Sequence, residues 1–233
     1  MYNIICVNVG TKYPIEYTKR LYNMVERNIN QPFKFYVYTD QVSLYNDTNI
    51  NTIEHKGNEV GWWCKLNLFK PGVLPKGNWL YFDLDVVIVD DIQPLLDYSD
   101  FAICRDFIRP NDGLLPGKEY NSSVMKFNSE RCEGIYQHYI NNVETWKQHQ
   151  EQIHFFGDQN VISNYLNYYP DFCNPFPDEL IWSYKKGVER GKHAGDRSRM
   201  FGDKIPEKGI VCVFHGNPDP TGVNEQWVKK HYV

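Results

Sequence analysis

The order strand, helix, strand at the start of the chain limits the possible folds more than any other feature. Residues 4–9 form an apolar run interrupted only by Asn8, which is typical of a strand buried on both faces of a parallel sheet. Pro14 then precedes a stretch with apolar residues at four-residue spacing, and a proline in the first turn is a helix start signal. Residues 33–38 alternate as a second strand. This order predicts an α/β domain with a mostly parallel central sheet.

Later segments extend the α/β pattern. The predicted strands are residues 78–82, 86–89, 101–104, 123–127 and 210–214. The predicted helices are residues 61–69, residues 158–166, and a helix capped by Ser129 that carries Ile135, Tyr139, Ile140 and Val143. Because no linker or internal repeat interrupts this pattern, we predict a single domain over residues 1–233.

The composition is that of a folded, mildly acidic domain. The 233 residues include 25 Lys and Arg against 29 Asp and Glu, which gives a formal net charge of −4, and 42% are hydrophobic. This charge argues against a protein whose main task is to hold nucleic acid electrostatically. No apolar run approaches the roughly 20 residues of a membrane span. The N-terminus lacks a signal-peptide pattern, so we expect a cytoplasmic protein.

Cysteine and alanine usage suggest the kind of cell. The six cysteines include no C-x-x-C pair, which predicts free thiols in a reducing compartment rather than a zinc site. Alanine occurs only at Ala102 and Ala194, while Asn is frequent. This bias is typical of an AT-rich genome, such as that of a phage or a low-GC bacterium.

Two carboxylates directly follow the predicted strand 78–82. Asp83 and Asp85 are two residues apart, so in extended geometry both side chains point to one side. Ligands of open α/β sheets bind beyond the carboxyl ends of the strands. Two hard oxygen ligands suit Mg²⁺ or Mn²⁺, which typically recruits phosphate oxygens as well. The simpler alternative is an acidic turn that closes the strand, since Asp90 and Asp91 place further acids nearby.

Two enzyme classes use a D-x-D motif at a strand end. Haloacid-dehalogenase-like phosphotransferases use the first Asp as a nucleophile, but they carry the motif near the start of the domain. Nucleotide-sugar glycosyltransferases of the GT-A fold use it to hold a divalent metal that bridges the donor diphosphate. Because residues 1–82 precede the motif here, we favour the second class and keep the first as the alternative.

Six patches around the D-x-D motif carry a more specific resemblance. They are residues 7–13 (VNVGTKY), 36–40 (YVYTD), 61–66 (GWWCKL), 121–127 (NSSVMKF), 157–160 (GDQN) and 213–220 (VFHGNPDP). In this order, over nearly the whole chain, they resemble a small GT-A glycosyltransferase similar to glycosyltransferase family 8, the glycogenin and galactosyltransferase group. The chain is most similar to short phage and bacterial relatives of that group.

The resemblance implies a metal-dependent enzyme that moves a sugar from a nucleotide sugar, most simply a UDP-sugar, with retention of configuration. It implies a Mn²⁺ or Mg²⁺ site formed by Asp83, Asp85 and His215. It implies catalytic or sugar-positioning roles for Lys65, Asn121 and Asp158. The other implied donor contacts are Asn8, Val9, Gly10, Thr11, Tyr13, Leu84, Ser122, Gln159 and Gly216. Without the resemblance, simpler interpretations apply. The loop residues then only connect elements, Lys65 is solvated, Asp158 caps a helix and His215 is structural.

The chain departs from the family pattern at two positions. Ser123 replaces a Gly beside the donor sugar, which narrows the space there. Asp219 replaces a Lys that normally touches the diphosphate. The basic segment 184–208 is predicted to be a mobile loop, either a solvated surface loop or a lid over the site. Candidates for the missing charge are Lys185, Lys186, Arg190, Arg197, Arg199, Lys229 and Lys230.

The acceptor remains open at this level. One hypothesis is a sugar hydroxyl of a glycan or of its lipid-linked precursor. Another is a hydroxymethylated base in phage DNA, which the basic segment favours and the net charge does not. A third hypothesis is a catalytically inactive sugar-nucleotide-binding module. We expect the C-terminal residues 221–233 to form a solvated tail.

Overall fold

A mixed β-sheet forms the centre of the molecule, as seen in a computed structural model that describes residues 1–107, 120–149, 157–188 and 204–233. The strands are β1 Tyr2–Val7, β2 Phe33–Thr39, β3 Asn51–Glu54, β4 Asn78–Phe82, β5 Val86–Ile88, β6 Ala102–Arg105, β7 Tyr120–Asn128, β8 Ile181–Ser183 and β9 Val211–Val213. Six of them form the large sheet in the order β3-β2-β1-β4-β7-β6, and the other three form a small sheet in the order β5-β9-β8.

The large sheet is mostly parallel. Strands β1, β2, β3 and β4 run in one direction, and β7 runs antiparallel to both of its neighbours, β4 and β6. In the small sheet, β8 is parallel to β9, and β5 is antiparallel to it. The predicted α/β class with a mostly parallel central sheet is therefore confirmed.

Helices cover both faces of the large sheet. The α-helices are α1 Ile15–Arg27, α2 Gln93–Leu96, α3 Glu133–Ile140, α4 Val143–Gln148, α5 Asp158–Tyr168 and α6 Gln226–His231. The side chains of Ile4 and Leu80 belong to the core shared with α1, the small sheet and α6. The side chains of Ile5 and Tyr81 belong to the opposite core, shared with α3, α5 and the 3₁₀ helix Gly61–Phe69. Because both faces are buried, the central strands β1 and β4 are mostly apolar.

Several local predictions need correction. Ser129 does not cap a helix: its hydroxyl donates to the Pro75 carbonyl oxygen at 2.9 Å, and α3 begins at Glu133 after a turn. The single helix predicted there is two helices, α3 and α4. Residues 61–69 are helical, as predicted, but with 3₁₀ geometry. The short strands β3 and β8 have no counterpart among the predicted elements.

The C-terminal segment is not the solvated tail that we expected. Residues 226–231 form α6, and the side chains of Val228 and Tyr232 are buried in the main core. The Arg27 guanidinium donates to the carbonyl oxygens of His231 and Val233 and holds the end of the chain against α1. Because this helix has only six residues and is stabilised by tertiary packing, its sequence shows no clear helical periodicity.

Two further observations concern predictions made from composition. All six cysteines lie in the described part of the chain, and all are free thiols. Among the described residues, no helix is long and apolar enough to cross a membrane.

Candidate active site

The D-x-D motif lies at the carboxyl end of β4, in the middle of the large sheet. The amide of Asp83 donates to the Ser123 carbonyl oxygen at 2.8 Å, which continues the β4–β7 ladder beyond β4. Residues 84–85 then form a turn into β5, and the Tyr232 hydroxyl donates to the Leu84 carbonyl oxygen at 3.2 Å. The turn is therefore held from one side by the sheet and from the other by the C-terminal segment.

A buried lysine joins three of the predicted site residues. The Lys65 ammonium lies 2.9 Å from Asp83 Oδ1 and 3.0 Å from Asp158 Oδ2. It also donates to Ser122 Oγ at 3.0 Å, and that hydroxyl donates to Asp158 at 2.6 Å. The Lys65 and Asp158 side chains are only 8% and 5% exposed, so the interpretation of Lys65 as a solvated lysine is excluded.

Burial and opposite charges act against each other on the pKa values of Lys65 and Asp158. Burial lowers the pKa of Lys65, but the charges of Asp158 and Asp83 outweigh burial and raise that pKa above its usual value. Burial raises the pKa of Asp158, and Lys65 and the Ser122 hydroxyl oppose that shift. The result is one cation between two carboxylates, with hydrogen bonds to each.

Asp158 is positioned by the start of α5. Gly157 precedes it with φ +56°, and a Cβ at Gly157 would meet the Trp62 ring at 2.2 Å. Glycine is therefore required at this entry. The cap position of α5 is Gly157, which has no side chain, and the Asp158 carboxylate contacts Lys65 and Ser122, so the simple helix-cap interpretation is also excluded.

The second carboxylate of the motif has a different environment. The Tyr13 hydroxyl donates to Asp85 Oδ2 at 3.4 Å. In the described part of the chain, no lysine or arginine forms an ion pair with Asp85. Burial and the nearby charge of Asp83 raise the pKa of Asp85 to about 6, with Lys12 opposing the shift. Asp85 thus carries a negative charge that a bound cation would stabilise.

A chain of buried amides extends from the lysine cluster. Asn121 Nδ2 donates to Gln159 Oε1 at 3.2 Å, and Gln159 Nε2 donates to Asp106 Oδ2 at 2.6 Å. Asn121 Oδ1 accepts from the Ser123 amide at 3.0 Å. These contacts fix the orientation of both amides predicted to position the donor sugar.

A cleft beside the D-x-D turn is lined by three of the residues predicted to contact the nucleotide, Asn8, Thr11 and Tyr13. It has a volume of about 300 Å³ and is lined by Asn8, Thr11, Tyr13, Pro14, Ile15, Glu16, Thr39, Gln41, Leu44 and Tyr45. The amide of Asn8 donates to Thr18 and Tyr45, so this side chain also braces the wall. Gly10 has φ +80°, and its amide donates to Asp40 Oδ1 at 3.0 Å. Val9 is partly buried against the core that α3 and α5 share.

His215 is held on the far side of the turn, at the end of β9. Its Nε2 lies 2.6 Å from Ser183 Oγ, and its ring stacks on Phe107 with centroids 5.5 Å apart. The Ser183 oxygen accepts from the amides of Lys185 and Lys186, each at 3.0 Å. Since both acceptor positions of that oxygen are then used, the hydroxyl hydrogen points to His215 Nε2.

The residues implied to hold a metal fit it in part. Asp83 and Asp85 supply adjacent hard oxygens whose mutual repulsion a divalent cation would relieve. Within the described ranges, however, no group of three or more potential ligands is assembled. His215 would have to exchange its bond to Ser183 for the metal in order to join the two carboxylates.

The departure from the family pattern at Asp219 has a structural consequence. Asp219 accepts from the Tyr17 hydroxyl at 2.8 Å and from Thr221 N and Oγ1 at 2.9 and 2.8 Å, so it anchors the C-terminal segment to α1. The Lys185 ammonium donates to the His215 carbonyl oxygen at 2.9 Å and lies 3.7 Å from the position of a Cβ on Gly216. Arg190, Arg197 and Arg199 lie outside the described residues, as does most of the basic segment.

Two other candidates for the missing charge lie on α6 and make no hydrogen bond or ion pair with the site residues in the described part of the chain. Lys229 and Lys230 are exposed on α6, where the Lys229 ammonium donates to Asn224. The start of the basic segment is packed in the core and is not the mobile loop that we predicted. Tyr184 is buried, and its ring stacks on that of Phe214 with centroids 4.3 Å apart.

Sequence reasoning did not identify several residues that support the site. The Tyr81 hydroxyl donates to Asp83 Oδ1 at 2.5 Å. The Lys65 ammonium lies 5.0 Å from the centre of the Tyr81 ring. Tyr81 is on β4, two residues before Asp83, and this spacing would have indicated that the two side chains lie on one side. Asp106, Ser183 and Tyr232 come from distant segments, and no local pattern in the sequence indicates them.

Comparisons with known proteins agree with this architecture. No protein-family model matches the chain, and no curated protein matches it in sequence. Among solved structures, the galactosyltransferase LgtC in complex with donor and acceptor sugar analogs superposes with TM-score 0.67 at 14% identity, over 98% of this chain and 94% of that chain. The glycosyltransferase GlyE of Streptococcus pneumoniae TIGR4 superposes with TM-score 0.64 at 14% identity, over 97% of this chain and 58% of that chain.

At this level of identity the likeness concerns the fold. The resemblance to GT-A glycosyltransferases predicted from the six patches is confirmed for the fold, which extends over nearly the whole chain. The chain thus has the fold of these solved glycosyltransferases.

Proposed function

We propose that this protein is a glycosyltransferase that moves a sugar from a nucleoside diphosphate sugar, most simply a UDP-sugar, to a hydroxyl acceptor. The observation that carries the proposal is the buried cluster of Lys65, Asp83 and Asp158 at the sheet edge, beside an Asp85 without an ion pair among the described residues. Its position in a fold shared with solved glycosyltransferases supports the same conclusion.

In this proposal Asp83 and Asp85 would hold Mn²⁺ or Mg²⁺, and His215 would be a third ligand in place of its hydrogen bond to Ser183. A bound metal would supply Lewis-acid stabilisation of the leaving diphosphate. The carboxylate pair provides the negative charge that attracts the cation, and the pKa of Asp85, raised to about 6, is consistent with that role.

The protein groups around the turn bind and orient the donor. The cleft lined by Thr11, Tyr13 and Gln41 accepts the nucleotide, and Tyr13 connects it to Asp85 through its hydroxyl. Lys65 holds Asp158 in place, while Asn121 and Gln159 present fixed amides to the sugar hydroxyls. Such a preorganised polar site stabilises developing charge without reorganisation.

Lys185 is our candidate for the cation that replaces the family lysine at position 219. Its ammonium already lies on the backbone of the His215–Gly216 turn, where a diphosphate would approach. Lys12 is a second cation near Asp85. Lys12 and Lys185 both lie in loops, whereas the lysine of the family pattern would be at position 219.

Retention of configuration is the expectation that the family resemblance gives. The Asp158 carboxylate is bound to Lys65 and Ser122. This arrangement suits orientation of the sugar better than nucleophilic attack by Asp158. We therefore favour attack of the acceptor on the same face as the departing diphosphate, which carries the negative charge to accept the acceptor proton.

The acceptor is proposed to be a glycan hydroxyl. The alternative of a hydroxymethylated base in DNA depends on the basic segment, most of which lies outside the described residues, so no contact in the structure favours it. The haloacid-dehalogenase-like alternative is not favoured for two reasons. The motif follows β4 rather than the first strand of the chain, and the solved structures that share this fold are glycosyltransferases.

A donor panel tests the proposal. Purified protein is mixed with UDP-, GDP-, ADP- and dTDP-sugars in Mn²⁺, and both thermal shift and release of the nucleoside diphosphate are measured. We expect one nucleotide class to stabilise the protein and to be hydrolysed slowly in the absence of an acceptor. EDTA should abolish the release. Binding without any release, with every glycan acceptor offered, would instead support the inactive binding module.

A further inference from the structure

A second cleft lies at the opposite end of the large sheet and has no role in the proposed reaction. It has a volume of about 420 Å³. Asn128, which lines it, pairs with the first residue of β4, whereas Asp83 directly follows the last. The five residues of β4 separate the two sites by about 17 Å. The eleven residues of α5, from Asp158 to Tyr168, give a similar separation of about 16 Å.

Aromatic side chains form the floor of this second cleft. Phe101 and Phe172 have ring centroids 4.9 Å apart, and the Tyr165 ring contacts Phe172 edge-on at 5.7 Å. The Tyr169 ring lies 4.8 Å from Tyr165. The floor is therefore assembled by mutual packing of the rings and does not require a ligand to form.

Two tyrosines at the mouth of the second cleft are unusually exposed. Tyr168 and Tyr169 are 69% and 57% exposed, although large aromatic side chains are usually covered in a folded domain. Both line the cleft, so their rings and hydroxyls are available to a molecule that enters it. Adjacent exposed aromatic surface of this kind marks interaction sites.

Planar polar groups surround the aromatic floor. Arg131 forms an ion pair with Asp100, and Asp171 and Asn128 complete the rim. Because the arginine and one carboxylate compensate each other, the rim offers hydrogen-bond donors and acceptors without a positive field for an anion. The volume is within the range of small-molecule sites, about 300 to 1,000 Å³.

We propose that this second cleft binds a neutral glycan chain. A pyranose ring has an apolar C–H face that packs on aromatic rings and an edge of hydroxyls that pairs with carboxylate, amide and guanidinium groups. A purely apolar ligand would leave the rim groups desolvated without partners, and an anionic ligand would meet Asp100 and Asp171. The glycan is a second carbohydrate ligand, and its binding does not depend on sugar transfer at the D-x-D motif.

Titration calorimetry with the full chain tests this proposal. The probes are neutral oligosaccharides of glucose, galactose and N-acetylglucosamine, each of two to six residues, together with an arginine-rich peptide as the competing occupant. We expect at least one oligosaccharide to bind and Tyr169→Ala to weaken that binding roughly tenfold. Tyr168→Ala should weaken it as well, and Tyr169→Phe, which keeps the ring, should retain most of it.

Asp83→Asn is the matched control, because it alters the donor site and leaves the second cleft intact. Oligosaccharide binding that survives in Asp83→Asn and is lost in Tyr169→Ala supports the proposal even if the chain transfers no sugar. The proposal is overturned if no oligosaccharide binds, if only the peptide binds, or if Asp83→Asn loses binding while Tyr169→Ala keeps it. Thermal melting of Tyr169→Ala checks that the exposed substitution leaves the fold unchanged.

Discussion

On one side of the Asp83–Asp85 turn, the matched side, the carboxylate is paired with a cation of the protein. On the other, the unmatched side, the carboxylate has no ion pair in the described part of the chain. Asp83 shares the buried ammonium of Lys65 with Asp158 and accepts a hydrogen bond from Tyr81. Asp85 has a hydroxyl of Tyr13 at 3.4 Å and no ion pair in the described part of the chain. His215, at the end of β9, is bonded to Ser183.

This difference separates two tasks of one site. The matched side is rigid and satisfied before any ligand arrives, which suits orientation of a donor sugar. The unmatched side retains negative charge and a histidine bonded to a neutral hydroxyl, which suits capture of a cation and its diphosphate. Stability should therefore depend on the first side, and ligand binding on the second.

Removal of the matched cation should have the largest effect. Lys65→Met leaves Asp83 and Asp158 facing each other in a buried site, and we expect it to lower the free energy of unfolding by about 2 to 4 kcal/mol. Sugar transfer should also be lost. Chemical denaturation measures the first effect, with Lys76→Met as the control, because Lys76 forms only an exposed ion pair with Glu130. A change equal to that of the control would show that the cluster is not a stabilising unit.

The unmatched carboxylate should behave in the opposite way. The folded pKa of Asp85 is raised to about 6, above the unfolded value, so the ionised carboxylate destabilises the fold at pH 7 and the cost disappears below about pH 4. We expect Asp85→Asn to raise the free energy of unfolding by about 1 to 2 kcal/mol at pH 7 and to change it little at pH 4. Denaturation at both pH values measures this.

The matched comparison for that experiment is Asp83→Asn, which removes a partner of Lys65 and should destabilise the fold at pH 7. If Asp83→Asn and Asp85→Asn change the free energy of unfolding in the same direction, the two carboxylates do not differ in charge pairing as we propose.

The proposed diphosphate cation gives an intermediate effect. Lys185→Ala removes an ammonium that lies on the His215–Gly216 turn, and we expect it to weaken binding of the nucleoside diphosphate roughly tenfold. Lys186→Ala removes the same charge one residue later and serves as the control for general electrostatics. Titration calorimetry distinguishes them, and equal losses in both variants would exclude a specific role of Lys185.

The smallest effect should come from the hydrogen bond that holds the turn from outside. Tyr232→Phe deletes the hydroxyl that donates to the Leu84 carbonyl oxygen and keeps the buried ring. We expect a loss of about 1 kcal/mol in stability and a modest rise in the KM for the donor, with kcat little changed. A change in kcat alone would place Tyr232 in the chemical step instead.

Much of the fold could be predicted because the strands are buried on both faces. The continuous runs of β1 and β4 indicate a parallel sheet without knowledge of its neighbours. The strands β3 and β8 and the helix α6 are short, and they are stabilised by pairing and packing partners distant in the sequence. Local periodicity does not record such contacts.

For the site, the sequence indicated the residue types more reliably than their partners. The D-x-D motif, Lys65 and Asp158 could be named from their patches, and they lie together as the resemblance implied. The partners Ser183 and Asp106 could not be named, because each is brought to the site by a different strand or loop. The contacts of Asp219 with Tyr17 and Thr221 join distant segments, so its use as an anchor could not be predicted without the fold.

The most direct test of the central claim is the effect of Mn²⁺ on nucleoside diphosphate binding. The diphosphate of the donor found in the panel is titrated into the wild-type protein and into an Asp83→Asn, Asp85→Asn double variant, each with Mn²⁺ and with EDTA. We predict that Mn²⁺ tightens binding to the wild type by roughly tenfold or more and has no effect on the double variant. Equal affinity in Mn²⁺ and EDTA for the wild type, or an undiminished Mn²⁺ effect in the double variant, would contradict the account.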